Sequence, residues 1–209
     1  MARYTDAVCR LCRRSLEKLF LKGNKCYTQK CAMTKRAFAP GQHGEGRRQK
    51  LSNYGLQMKE KQKVKWMYGV LERQFRRYFQ TASKSKGVTG RVLLQLLERR
   101  LDNVVFRLGL ATSRAGGRQI VRHNFVYINS RRVNIPSFSV DKDDVIEIKA
   151  KEKGLKKIKE NIELNKDRSV PSWLELDQQA LKAKVTRLPE KEDISSTIQE
   201  QLIVELYSK

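Results

Sequence analysis

All four cysteines of the chain lie within its first 31 residues, in the segment CRLCRRSLEKLFLKGNKCYTQKC. Their spacing is C-x2-C, thirteen residues and C-x4-C, which is typical of a tetrahedral zinc site in which each close pair forms a knuckle. Seven Lys and Arg residues in the segment favour thiolates over thiols. We predict one structural Zn2+ ion, which would contribute on the order of 10 kcal/mol to folding. The predicted ligands are Cys9, Cys12, Cys26 and Cys31.

Disulfides, a redox pair and four unrelated thiols are the alternatives to a metal site. The first residues, MARYTDAVCRLCRR, contain no apolar segment typical of a secretory signal. We therefore expect a reducing compartment, which disfavours disulfides. A redox C-x-x-C pair needs a βαβ context that this segment lacks. Four unrelated free cysteines stay open as the simplest alternative.

Positive charge is concentrated in the N-terminal half of the chain. The chain has 45 Lys and Arg residues against 22 Asp and Glu residues, a net charge of +23. The first hundred residues hold 25 of these cations but only six of the acids, which gives them a net charge of +19. Because such a chain repels itself, we predict a polyanionic partner. No apolar run of about 18 residues occurs, so we expect no membrane partner.

The hydrophobic pattern predicts helices first and a small α+β module after them. Apolar residues recur at helical spacing between Asn53 and Leu97. Two short helices are predicted near residues 101–108 and after Ser113, and short strands near 126–128 and 145–148. The apolar end QLIVELY (201–207) predicts a strand or a docked terminal segment that packs on protein.

The segment SRAGGRQIVRHNFVYINSRRVNIPSFSVDKDDVIEI resembles the RNA-binding module of the S4 family of small-subunit ribosomal proteins. In this module glycine is usual at the positions of Asn124, Ser130 and Asp143; Asn and Asp tolerate a left-handed backbone well and Ser less so. The matching positions are Ser113, Arg114, Arg118, Gln119, Val121, His123, Val126, Asn129, Val133, Pro136 and Val140.

Further motifs extend the resemblance to essentially the whole chain. ARY, PGQHG, MKEKQK, ERQFRRYF, LLERRLDNVVFRLG and EQLIVELYS are similar to full-length bacterial members of the S4 family. The four N-terminal cysteines are similar to those of members that bind zinc. The resemblance implies an α+β fold: a mostly helical domain with an inserted small module of two short helices on an antiparallel sheet, and an N-terminal zinc knuckle. The expected domains are a zinc-binding extension with a basic loop (1–45), the helical domain (46–98 plus 163–209) and the module (99–162).

The resemblance also implies a function. The family binds 16S rRNA as a primary binder at a five-helix junction of the 5′ domain and nucleates assembly of the body of the 30S subunit. It adjoins ribosomal protein S5 near the place where mRNA enters, and its interface with S5 and S12 influences decoding accuracy; contact with mRNA is a further expectation. We therefore expect a structural protein without enzymatic activity, cytoplasmic as part of the ribosome, and not a homo-oligomer.

We expect clustered cations to neutralise RNA phosphates. Any single one of them could instead be a solvated surface charge, but the clustering favours RNA binding for the set. On the module they are Arg114, Arg118, Arg122, His123, Arg131 and Arg132; on the rest of the chain they are Arg3, Arg10, Arg13, Arg14, Arg47, Arg48, Lys59, Lys61 and Lys63.

Two other functional classes compete with the ribosomal one. An enzyme that uses the module as an RNA anchor would need a catalytic domain, but the sequence contains no G-x-x-x-x-G-K-[ST], G-x-G-x-x-G or H-x-x-x-H motif. A zinc-containing DNA-binding regulator would bind duplex DNA tightly, whereas a ribosomal protein prefers a structured RNA junction and co-sediments with ribosomes.

Overall fold

A computed structural model describes residues 3–46, 50–166, 168–194 and 197–208. The chain divides into two compact units: the first comprises Met1–Leu93 with Ser196–Lys209, and the second comprises Leu94–Ser195. The second unit therefore extends further toward the C-terminus than the module expected at 99–162. Within the described residues, no helix is both long enough and apolar enough to cross a membrane.

The first unit is mostly helical. Its core contains Val64, Phe75 and Ala82, all fully buried. Ser52 caps the helix that begins at Asn53 by accepting a hydrogen bond from the N–H of Gly55 at 3.2 Å. The helices are α1 (Cys9–Ser15), α2 (Ala32–Lys35), α3 (Asn53–Met67), α4 (Glu72–Lys84), α5 (Thr89–Glu98, which continues into the second unit) and α9 (Glu200–Tyr207), with a 3-10 turn at Gly23–Cys26.

The C-terminal segment packs on α3, as the sequence allowed, but it is a helix and not a strand. Ile203 of α9 is fully buried, and Gln57 of α3 donates from Nε2 to Glu205 at 2.8 Å. Tyr207 stacks on Phe79, with 4.5 Å between the ring centroids. A short apolar run fits a buried strand or a buried helix equally well, because its periodicity does not separate the two.

Glu72 connects three elements of the first unit through its carboxylate. Lys61 and Lys65 of α3 donate to it at 2.8 and 3.0 Å, and the hydroxyl of Tyr207 donates to it at 2.8 Å. Burial alone would raise the pKa of Glu72, but the hydrogen bonds from Lys61, Tyr207 and Lys65 lower that pKa to about 2. Burial, followed by the contact with Glu72, raises the pKa of Tyr207.

Lys63 is only 4% exposed, and its ammonium group also forms contacts within the first unit. Its Nζ lies 2.9 Å from Glu60, 3.3 Å from Glu17 and 2.7 Å from the carbonyl oxygen of Thr197. The structure thus differs from our assignment of Lys61 and Lys63 to an RNA-binding surface. Both lie on the buried side of α3, where scarce acidic partners neutralise them.

The second unit packs helices on an antiparallel sheet, which confirms the predicted combination of a mostly helical part with a small antiparallel sheet. Its helices are α6 (Leu101–Arg107), α7 (Arg114–Arg122) and α8 (Glu152–Leu164). Its strands are β1 (Val126–Ile128), β2 (Arg131–Arg132), β3 (Val145–Ile148), β4 (Leu174–Asp177) and β5 (Lys182–Val185), in the order β2-β1-β3-β5-β4. The last two strands come from sequence that we had assigned to the helical domain.

The register of the sheet places its branched side chains in one core. Val126 is opposite Ile148, and Ile128 is opposite Ile146, and all four are buried. Trp173, directly before β4, is among the largest fully buried side chains of the chain. Alternate residues of each strand therefore face the helices, as the period of a strand requires.

The three positions at which the related module usually has glycine all adopt a left-handed backbone. The φ angles are 62° at Asn124, 67° at Ser130 and 65° at Asp143. Asn129 also has a positive φ, of 47°, so both residues of the tight turn between β1 and β2 are left-handed. Asn and Asp suit such turns, whereas Ser130 carries a steric cost that glycine would not.

We predict that Ser130→Gly stabilises the protein. Relief of left-handed strain is worth about 1–2 kcal/mol, and the added flexibility of the unfolded chain offsets roughly half of this gain. The melting temperature should therefore rise by a few degrees, corresponding to about 0.5–1 kcal/mol. Ser137→Gly is the matched control; a lower melting temperature for Ser130→Gly would contradict the strain argument.

We also predict a pH-dependent contribution of Glu72 to stability. Because its folded pKa is lowered from 4.5 to about 2, this contribution is fully present above pH 4.5 and disappears as the pH falls through about 2. Glu72→Gln should lower the free energy of unfolding by no more than about 1 kcal/mol at pH 7, because the side chain is 45% exposed and solvent screens the pairs. The difference from wild type should vanish near pH 2 in denaturant titrations. Glu163→Gln, at an exposed position on α8, is the control; a difference that persists at pH 2 would exclude this linkage.

Candidate nucleic-acid interface

The arginines of α7 are placed by very close packing of α7 on α6. Ser113 caps α7 by accepting a hydrogen bond from the N–H of Gly116 at 3.2 Å. A Cβ atom at Gly117 would lie only 2.5 Å from the carbonyl oxygen of Asp102. Glycine alone allows this approach of the two backbones, so the approach fixes the position of α7 relative to α6.

Side chains of α6 hold two of the arginines predicted to bind RNA. Arg118 lies 3.6 Å from Oδ2 of Asp102, which also forms a buried two-point ion pair with Arg100 at 3.0 and 2.6 Å. Arg114 donates from Nε to Oδ1 of Asn103 at 2.7 Å. Arg114 and Arg118 are partly buried, so their guanidinium groups serve the packing of the second unit as well as its surface.

The fully buried carboxylate of Glu98 connects Asn103 to Arg107 and so extends these contacts into a network. Asn103 donates from Nδ2 to the Glu98 carboxylate at 2.6 Å, and Arg107 forms two hydrogen bonds with the same carboxylate at 2.9 and 2.6 Å. The guanidinium of Arg114 lies 4.7 Å from the ring centroid of Phe106. Since buried charges are stable only when paired in this way, the network rigidly orients Arg114.

The remaining predicted residues of the second unit are exposed. Arg122 ends α7, and His123 follows it directly. Arg131 and Arg132 form β2, which pairs with β1 at one edge of the sheet. Adjacent residues of a strand point to opposite faces, and both reach solvent here because β2 lies at an edge. We call Arg122, His123, Arg131 and Arg132 the module cations.

The predicted cations of the first unit separate into several environments. Arg13 donates to the carbonyl oxygens of Phe38 and Ala39 at 2.9 and 3.1 Å and lies over the Phe38 ring, so it holds the following loop in place. Lys59 is half-buried. The exposed ones are Arg3, Arg10 and Arg14, while Arg47 and Arg48 lie outside the described residues.

Helix α4 carries a basic face that we had not predicted as a binding surface. Phe75, Phe79 and Ala82 are buried on one side of the helix. The same helix carries the exposed residues Arg73, Arg76, Arg77 and Lys84, which we call the α4 basic face. The signal was present in ERQFRRYF, since arginines interleaved with an apolar stripe must occupy the opposite side of a helix.

The four cysteines come from three adjacent elements and are all free thiols. Cys9 and Cys12 lie on α1, Cys26 ends the 3-10 turn, and Cys31 precedes α2. Burial raises the pKa of Cys12, a backbone hydrogen bond at Leu19 lowers it, and Cys26, Cys9 and Cys31 raise it further. The other three cysteines therefore disfavour the charged form of Cys12. Within the described residues, however, no group of three or more His, Cys, Asp or Glu side chains has the geometry of a metal site.

Backbone amides also approach the sulfurs. The N–H of Lys22 donates to Sγ of Cys26 at 3.3 Å, and burial is the main cause that raises the pKa of this thiol, while the hydrogen bond at Lys22 lowers it. Hydrogen bonds of this kind favour the thiolate form. Thiolates are the donors that zinc prefers, so the donor chemistry of the cluster fits this ion.

Comparison with known proteins finds two matching family models and many full-length relatives. Residues 3–98 match the model of the ribosomal protein S4/S9 N-terminal domain, and residues 99–146 match that of the S4 domain. Proteins named small ribosomal subunit protein uS4 from Thermodesulfovibrio yellowstonii and Geobacter sulfurreducens are each 56% identical to the chain, and one from Dictyoglomus turgidum is 57% identical. Each alignment covers 209 residues and the full length of both proteins. The chain belongs to the uS4 family of small ribosomal subunit proteins.

Proposed function

We propose that this chain is a structural protein of the small ribosomal subunit that binds 16S rRNA. It is not an enzyme, and its place of action is the ribosome in the cytoplasm. The observation that carries the proposal is the set of exposed cations on a fold of the uS4 family: the module cations, the α4 basic face, and Arg3, Arg10 and Arg14. No acidic residue belongs to any of these groups.

Phosphate neutralisation supplies the binding free energy. Each arginine or lysine that contacts a phosphate releases condensed counterions, so affinity falls steeply as salt rises. The planar guanidinium of arginine also donates two parallel hydrogen bonds to phosphate oxygens. A folded RNA is recognised chiefly through its backbone, shape and 2′-hydroxyl groups. Rigidly held cations suit this task because they match one arrangement of phosphates.

The finer role follows the family resemblance. The RNA site is a multi-helix junction of the 5′ domain, and binding there nucleates assembly of the body of the 30S subunit. Protein S5 and other small-subunit proteins, including S12, are the neighbours through which the chain contributes to translational accuracy, and mRNA is a further contact where it enters the subunit. The chain acts as a single copy and not as a homo-oligomer.

The N-terminal segment binds one structural Zn2+ ion through Cys9, Cys12, Cys26 and Cys31. Four thiols drawn from adjacent elements, with backbone N–H donors beside them, support this assignment. When bound, the ion compensates the mutual repulsion of four thiolates and crosslinks a segment with few buried apolar side chains. Its role is therefore structural.

Replacement of Arg131 and Arg132 by Gln should weaken binding to a 16S 5′-domain transcript. We expect about a tenfold loss at moderate salt and a decrease of one to two in the slope of log K against log salt, because two phosphate contacts are removed. Filter binding over a range of salt concentrations measures both. Lys156→Gln/Lys157→Gln is the matched control: it removes the same charge from exposed positions on α8 and should leave the slope unchanged.

The wild-type chain should also co-sediment with 30S particles and prefer the RNA junction to duplex DNA. Tight binding to duplex DNA with no preference for the transcript would reject the ribosomal function. Equal slopes for wild type and the β2 double variant would remove Arg131 and Arg132 from the interface while leaving the wider proposal intact.

Replacement of Cys9 and Cys12 by Ser should abolish zinc uptake. We expect faster hydrogen exchange over residues 1–45, with unchanged protection of the sheet in the second unit, because the metal crosslinks only the N-terminal segment. Elemental analysis of the purified proteins measures the metal directly. Intact protein without zinc, prepared in the absence of chelators and with added Zn2+, would reject the site.

A further inference from the structure

Two aromatic rings of the N-terminal segment are stacked on each other at the protein surface. The ring centroids of Phe20 and Tyr27 are 5.0 Å apart, and their planes differ by 28°. Tyr27 is nevertheless 67% exposed. Since Phe20 covers one face of the Tyr27 ring, an exposure this large means that the other face is open to solvent.

The backbone on both sides of this aromatic pair is anchored beside the thiol cluster. Leu19, directly before Phe20, is buried, and its backbone is hydrogen-bonded to Cys12. Tyr27 follows the buried residue Cys26, and its N–H donates to the carbonyl oxygen of Asn24 at 3.1 Å. The rings are thus positioned by a segment with its own hydrogen bonds and burial.

Phe20 occupies a conformation that aromatic residues rarely adopt. Its φ angle is 51°, in the left-handed region that is unfavourable for a residue with a Cβ atom. Strain of this kind persists where surrounding contacts enforce it, and it is common at binding sites. Here it accompanies the burial of Leu19 and leaves the Phe20 ring at the surface beside Tyr27.

The sequence around the pair favours an anionic ligand. No acidic residue occurs in the sequence between Glu17 and Glu45. The lysines nearest in sequence are all exposed: Lys18, Lys22, Lys25 and Lys30. An open flat ring in a segment rich in exposed lysines is a combination with which proteins bind single-stranded RNA, because a base stacks on the ring while lysines meet the phosphates.

We propose that the open face of Tyr27 stacks against one unpaired nucleobase of the bound RNA, so that the base, Tyr27 and Phe20 form a continuous stack. This inference rests on the proposed rRNA-binding function. It adds a contact of a different kind, since the exposed cations recognise the RNA backbone, whereas this site selects a base that is not engaged in a helix. Every base has a stacking face, so the site requires an unpaired nucleotide and not a particular base.

The test uses the full-length chain and the 16S 5′-domain transcript. Tyr27→Leu should weaken binding roughly tenfold, because a leucine side chain offers no ring for stacking. The slope of log K against log salt should stay unchanged, since no charge is removed. Tyr27→Phe and Tyr27→Trp should bind within about twofold of wild type, because both keep an aromatic face.

Controls separate loss of stacking from loss of structure. Tyr54→Leu removes an exposed tyrosine elsewhere on the first unit and should leave the affinity unchanged. Thermal unfolding of Tyr27→Leu should match that of wild type. As an independent readout, ultraviolet irradiation of assembled 30S subunits should crosslink Tyr27 or Phe20 to a nucleotide that is unpaired in the RNA, identified by mass spectrometry.

Equal affinities of Tyr27→Leu and wild type would overturn the inference, and so would a crosslink from this pair to a protein. Either result would leave the rRNA-binding function standing. Failure of the wild-type chain itself to bind the transcript would overturn the proposed function and, with it, this inference.

Discussion

Scarcity of acidic residues is the constraint on which the rest of this structure depends. Residues 51–100 contain twelve Lys and Arg but only Glu60, Glu72 and Glu98, and each of these acids forms an ion pair inside the protein: with Lys63, with Lys61 and Lys65, and with Arg107. Lys61, Lys63 and Arg107, which receive these acidic partners, become part of the packing. Exposed cations such as those of the α4 basic face remain at the surface, where like charges repel one another.

This division explains why individual RNA-binding residues were harder to predict than the function. Charge and motifs identified the polyanionic partner, but Lys61 and Lys63 were grouped with Lys59 among the clustered cations expected to bind RNA. Only the tertiary structure shows that Lys61 meets Glu72, whereas Lys63 pairs with Glu60 three residues earlier on α3, a spacing that brings side chains together on a helix. The sequence separation of Lys61 and Glu72 is eleven residues, so no helical spacing rule could have paired them. On α4 the opposite error occurred. The apolar residues predicted a packed helix, but the arginines interleaved with them were not assigned to a binding surface.

Local backbone chemistry was predictable where a residue type carries a conformational preference. Asn124 and Asp143 adopt the left-handed backbone that their side chains tolerate, and β1 and β3 form where branched residues alternate. The strands at residues 174–185 were missed because LELD and KAKV are short and carry little apolar signal. Their position depends on pairing of β5 with β3, which is a long-range contact. This pairing also covers an edge of β3 that a module ending at residue 162 would have left exposed to association with other chains.

The exposed cations and the buried ion pairs respond to salt to different extents, and this difference lets one chain both fold and bind reversibly. The exposed cations are screened within about a Debye length of roughly 8–10 Å at physiological ionic strength, so added salt relieves their repulsion in the free protein while it weakens RNA binding. The pairs of Glu98 with Arg107 and of Asp102 with Arg100 are buried and are screened much less. Salt can therefore release the RNA without disturbing the packing of α6 on α7. Since Arg114 and Arg118 belong to that packing, added salt leaves the arrangement of these two side chains in place.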